Sequence, residues 1–175
     1  ATDNCDATVT ITYAEVKTNG TCTDSYTLTR TWTATDNCTN SITGVQVITV
    51  QDVTKPVLSG VPANVTVECS AVPSAATPTA TDNCDATVTI TYAEVKTNGS
   101  CTDSYTLTRT WTATDNCNNK DTKTQVITVQ DVTKPVLSGV PANVTVECSA
   151  VPTAATPTAT DNCDATVTIT YAEVK

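Results

Sequence analysis

The sequence predicts an all-β protein made of small, disulfide-bearing β-sandwiches, one per 79-residue repeat. Three observations predict it. Displacing the chain by 79 residues superposes Ala1 on Ala80 and Ala80 on Ala159 without a gap. Residues 1–79 then differ from 80–158 only at positions 21, 39, 41, 42, 44, 45 and 74. Such a period is too long for a helical-hairpin or leucine-rich repeat and suits a small sandwich domain. Alternation dominates the pattern ("TVTITY", "YTLTRTWTAT", "NVTVEC", "QVITV") and is broken by "TNG", "DNC" and Pro-Gly-Asn clusters, which is how short β-strands and their turns read. The third observation is four cysteines per period, with no CxxC pair and no histidine in the chain. Zinc favours closely spaced ligand pairs, so this spacing points to disulfides and an oxidising, extracellular setting.

The elements follow from "DVTKP", where Lys55-Pro56 and Lys134-Pro135 interrupt the preceding strand. On that frame residues 1–51 are the C-terminal part of one repeat, 52–130 a complete repeat, and 131–175 the N-terminal part of the next. Neither end reads as a natural terminus, so the chain is expected to be cut from something longer. Within the complete repeat, strands are expected at Asn64 to Cys69, Ala76 to Thr81, 86–96, 104–115 and 122–130. Tyr105, Leu107 and Trp111 share one face of their strand, as do Val88, Ile90 and Tyr92 of its neighbour, giving an aromatic core. Glu94 and Arg109 lie in phase with these faces, so a structural cross-strand ion pair is expected.

Length constrains the cysteine pairing. The strand 104–115 would span roughly 40 Å, whereas a disulfide requires Cα atoms within about 7 Å. Cys101 therefore cannot reach Cys117, and the strand 86–96 separates Cys84 from Cys101 in the same way. Within one repeat this leaves Cys69 with Cys101 and Cys84 with Cys117, and by the same rule Cys5 with Cys38. A break in the 104–115 strand would restore the sequential pairs, Cys69 with Cys84 and Cys101 with Cys117. The expected pairing joins the two "ATDNC" loops of a period to one another and leaves Cys22, Cys148 and Cys163 to partners beyond this chain.

The stretch "DVTKPVLSGVPANVTVECSAVPSAATPTATDNC", with "YTLTRTWTATDNC" and "TQVITVQD" after it, resembles the HYR-like (hyalin-repeat-like) immunoglobulin-type modules that occur in tandem in large surface adhesins of gliding Bacteroidota, of the SprB kind. The resemblance implies an immunoglobulin-like sandwich, export to the cell surface, and membership of a long filament used in adhesion or gliding. It specifies architecture more closely than biology.

The chain has 18 acidic against 9 basic residues, a net charge of -9, which argues against nucleic acid and anionic membrane as partners. No membrane insertion is expected in this segment. The expected partners are neighbouring repeats of the same chain, with surface polysaccharide or other filaments as further candidates. Without histidine there is no Ser-His-Asp or Cys-His arrangement, and no enzyme activity is expected. Asp52, Asp82, Asp85 and Asp115, with nearby Asn side chains, are expected to gather at one tip, where their oxygens suit calcium at a junction between repeats. Asp and Asn in turns more often serve their own backbone. The ladder Thr106, Thr108, Thr110, Thr112 and Thr114 suggests an ice- or sugar-binding face, or simply a solvated strand. The leading expectation is a stalk that extends and transmits force; the alternative is a repeat array that itself binds glycans.

Overall fold

The computed structural model describes residues 1–174, which form eleven strands and one 3-10 turn. The strands are β1 (Thr10–Asn19), β2 (Tyr26–Thr35), β3 (Ser41–Val50), β4 (Val57–Ser59), β5 (Val65–Glu68), β6 (Thr79–Thr81), β7 (Thr89–Asn98), β8 (Tyr105–Thr114), β9 (Lys120–Gln130), β10 (Val136–Ser138) and β11 (Thr158–Thr160). The turn occupies Cys69–Ala71. Within 57–130 a four-stranded sheet of order β5-β9-β8-β7 accompanies the antiparallel ribbon β4-β6, an immunoglobulin-like all-β arrangement.

Contacts group the chain into two compact units, each drawing on more than one sequence period. The first comprises Ala1–Val61, Thr77–Tyr92 and Trp111–Lys123. In it β1, β2 and β3 form an antiparallel meander, with Tyr13 opposite Trp32 and Glu15 opposite Arg30. Leu58, Trp111 and Ala113 are buried. The Leu58 N–H donates to Asp121 at 3.1 Å and its carbonyl accepts from the Lys123 ammonium, so β4 is tied down by two side chains as well as by β6.

The second unit comprises Pro62–Ala76, Ala93–Thr110 and the chain from Thr124 onward. Here β5 runs parallel to β9, with Val65 opposite Ile127 and Val67 opposite Val129. Leu107, Ile127 and Val129 form its core, with Val67, Cys69, Val72 and Tyr105 packed around them. The buried Gln125 amide donates to the Ala63 carbonyl at 3.0 Å, and Asn64 accepts the Val126 N–H at 2.8 Å, so the chain leading into β5 is held by polar groups that would otherwise lack partners. The ribbon β10-β11 completes this unit.

Strand boundaries differ from expectation for local reasons. The strand expected over 86–96 begins at Thr89, because Asp85 accepts the Thr87 N–H at 2.9 Å and turns the chain first. It continues to Asn98, where the Gly99 N–H meets the Ser104 carbonyl at 2.7 Å; a Cβ at Gly99 would lie 2.5 Å from that oxygen, so only glycine closes this loop. The short β4 is an addition to the expected strands, because three residues carry too little alternation to mark a strand in the sequence.

Candidate functional site

The recurring "ATDNC" loops are built by their aspartates. In the copies at 1–5, 80–84 and 159–163, one carboxylate oxygen of Asp3, Asp82 or Asp161 accepts the N–H groups two and three residues on. In the copies at 34–38 and 113–117, Asp36 and Asp115 accept instead from the N–H groups two and four residues on, and from the amide of Asn40 or Asn119. The same pentapeptide therefore makes two loop types: one is closed by the N–H of the Asp that directly follows it, the other by an Asn two residues beyond it. Asp36 is held below the usual carboxylate range chiefly by the Asn40 side chain, and Asp161 chiefly by the Cys163 N–H.

The paired loops of a period are adjacent, but a carboxylate joins them where a disulfide was expected. Asp6 accepts the Asn37 N–H at 2.7 Å, and Asp85 accepts the Asn116 N–H at 2.9 Å. Asp85, expected among the calcium ligands, ties the two loops together here, and its spacing from Asn116 repeats at Asp6 and Asn37.

The disulfides correct the expected pairing. Cys117 bonds to Cys22 and Cys69 to Cys163, with Cα separations of 5.1 and 5.8 Å. Neither Cys69–Cys101 nor Cys84–Cys117 forms, and Cys5 and Cys38 are both free and exposed, as are Cys84 and Cys101. Strand length separates cysteines of one repeat, but a cysteine at the end of one repeat reaches the next repeat along the chain. Asn116 also donates to the Asp24 carboxylate beside the first bridge, and Ser25 lies 3.9 Å from the Cys117 sulfur.

Of the four aspartates expected around calcium, the structure separates two roles. Asp85 and Asp115 are spent on backbone N–H groups and the Asn119 amide. Asp52 and Asp82 each keep a buried Oδ2 that accepts no hydrogen bond, and these two residues with Cys84 offer ligand atoms within 4.8 Å of one another. One period on, Asp131 and Glu68 lie together beside Cys163, whose sulfur is taken up by the bond to Cys69. Two orphaned carboxylate oxygens fit a cation, while a thiol is a poor donor for calcium. Desolvation and then the charges of Asp52, Asp82, Asp24 and Asp115 push the Cys84 thiol up.

Glu94 and Arg109 meet at 2.7 Å, and Arg109 also donates to the Ser74 carbonyl at 3.0 Å. Tyr92 and Trp111 pack at 5.3 Å between ring centroids. The threonines of β8 are half-buried, and the Thr112 hydroxyl pairs with that of Thr122 at 3.1 Å, so the ladder is not a free flat array. No helix among the described residues is long and apolar enough to cross a membrane.

Residues 57–129 match the family model of the HYR-like domain with 4 cysteines, an extracellular adhesion-type domain. That family and the disulfides fit an extracellular location. No curated protein matches the chain.

Proposed function

We propose that this chain is a segment of the stalk of a large secreted cell-surface adhesin, whose work is to extend and to transmit force in adhesion or gliding. One observation carries the reading: each compact unit draws on residues from more than one sequence period and is closed by a disulfide spanning 95 or 94 residues. Such links resist extension, which is what a load-bearing spacer requires. The short connector "VQDVTKP" also leaves little slack for free jointing between repeats, favouring a rod. Small-angle scattering tests this on the chain and on versions lengthened by whole periods. A maximum dimension that grows by a constant increment supports the rod, and the weaker growth of a freely jointed chain overturns it. Reproducible hits on a glycan array would favour the alternative, a repeat array that binds surface polysaccharide.

The orphaned Oδ2 atoms of Asp52 and Asp82 favour a second reading, in which calcium binds at junctions between repeats and stiffens the stalk. Calorimetric titration with calcium tests it. Saturable binding abolished by Asp82→Asn supports the site, and absence of heat up to millimolar calcium removes it.

A further inference from the structure

The sequence period and the two bridges together define a pairing rule. A shift of 79 residues carries Cys22 onto Cys101, Cys38 onto Cys117, Cys69 onto Cys148, and Cys5 onto Cys84 and then Cys163. The bridges span 95 and 94 residues, each more than one period. Cys22–Cys117 thus joins the Cys101 register of one period to the Cys117 register of the next. Cys69–Cys163 joins the Cys69 register of one period to the Cys84 register of the next.

We infer that every cysteine of this array serves a bond between successive repeats, two such bonds per junction, and none serves a bond within a repeat. The rule accounts for all nine cysteines. Cys5, Cys38, Cys84, Cys101 and Cys148 are the free ones, and translating the bridges by whole periods places the partner of each outside residues 1–175. Pairing within the repeat would instead have found both partners of Cys5–Cys38, Cys69–Cys101 and Cys84–Cys117 present in the chain, and none of those bonds forms.

The chemistry is thiol–disulfide exchange with a disulfide oxidant. One cysteine thiolate attacks a sulfur of the oxidant's disulfide and forms a mixed disulfide. The second thiolate then attacks the protein sulfur of that intermediate. The cysteine pair loses two protons and two electrons, and the oxidant leaves as its dithiol.

A mechanical consequence follows. In a long array the taut covalent path crosses one bridge of the Cys22–Cys117 kind, returns along the stretch corresponding to Cys117 back to Cys101, and crosses the next. At about 3.4 Å per extended residue that path is roughly 55 Å per period, against roughly 270 Å for the reduced chain. Unfolding an oxidised repeat therefore releases far less length than unfolding a reduced one, and this holds whether or not the array is a stalk.

Peptide mapping of the oxidised chain, alkylated before digestion with trypsin, tests the rule. The expected products are peptide 18–30 joined to 110–120 and peptide 31–96 joined to 124–175, with 1–17 and 97–109 alkylated. Peptide 31–96 joined to 97–109 or to 110–120 would overturn it. Cys22→Ser separates the two cases by sign: the reactive thiol count rises by one as Cys117 is released, whereas pairing within the repeat makes it fall by one. Adding one 79-residue period after the C-terminus should protect Cys101 and Cys148 while Cys5, Cys38 and Cys84 stay reactive. Continued reactivity of Cys101 in that longer chain would also overturn the rule.

Discussion

Strands β2 and β8 have the same ten residues, YTLTRTWTAT, and the same partners in their preceding strands, yet only one of them is buried. The local contacts are equal. Tyr13–Trp32 and Tyr92–Trp111 lie at 5.4 and 5.3 Å with the same 45° tilt. Glu15–Arg30 and Glu94–Arg109 close at 2.8 and 2.7 Å, and Lys17 and Lys96 sit 4.0 and 3.8 Å from the rings of Tyr26 and Tyr105. Burial differs sharply: Trp32 is 39% exposed and Trp111 2%. The contrast separates two kinds of interaction. Cross-strand pairs belong to the hairpin and form wherever it forms. Burial also requires a cover, and the segment 57–76, which supplies Leu58, Val67 and the Ser74 carbonyl, precedes β8 but has no counterpart before β2 in residues 1–174.

The largest expected consequence lies at the two tryptophans. Trp111→Ala should lower the unfolding free energy by about 3–5 kcal/mol and Trp32→Ala by less than about 1 kcal/mol, read by urea denaturation. Equal losses would break the comparison. Cys22→Ser removes the bridge to Cys117 and should cost about 2–4 kcal/mol in the oxidised protein, with no further loss from Cys38→Ser, the free cysteine at the matching position one period earlier. Arg109→Ala should cost about 1–3 kcal/mol, because it removes the half-buried ion pair to Glu94 and the bond to the Ser74 carbonyl, whereas Arg30→Ala, at an exposed pair, should cost about 0–1 kcal/mol.

Smaller effects sharpen the contrast further. Thr39 and Asn118 occupy equivalent loop positions at φ 72° and 68°, a region that suits asparagine and strains a β-branched side chain. Thr39→Asn should therefore raise stability by up to about 1 kcal/mol, and Asn118→Thr should lower it by a similar amount, visible as opposite shifts in Tm. Acid should act through Asp36 and Asp161. Their folded pKa values lie below the unfolded value of about 3.9, so their contribution is complete above that pH and is lost as pH falls through the depressed folded values. Asp36→Asn should flatten the acid limb of a Tm-against-pH curve, and an unchanged slope would show that the Asn40 bond contributes nothing.

Much of the fold was legible because it rests on alternation. The 104–115 and 122–130 stretches appear as β8 and β9 within two residues at each end, and the Glu94–Arg109 pair follows from phase along neighbouring strands. The disulfides were not legible in this way. Strand length states which cysteines lie far apart along one repeat, but a bond between repeats depends on how one end of a repeat meets the next, and no local pattern encodes that. The tie from Asp85 to Asn116 could have been anticipated from the recurrence of the same spacing at Asp6 and Asn37.

A second identical pair marks the boundary between the two kinds of information. Val65–Glu68 is a strand beside β9, while the same four residues at 144–147 form none. Sequence alone determined the period, the β character, the turn-forming aspartates and the cross-strand pairs, because each depends on residues close in the chain or fixed by a hairpin's register. Tertiary structure alone decided which tryptophan is buried, whether VTVE becomes a strand, and which cysteines bond. Each of those outcomes needs a partner surface from a distant segment, and an identical local sequence cannot supply it.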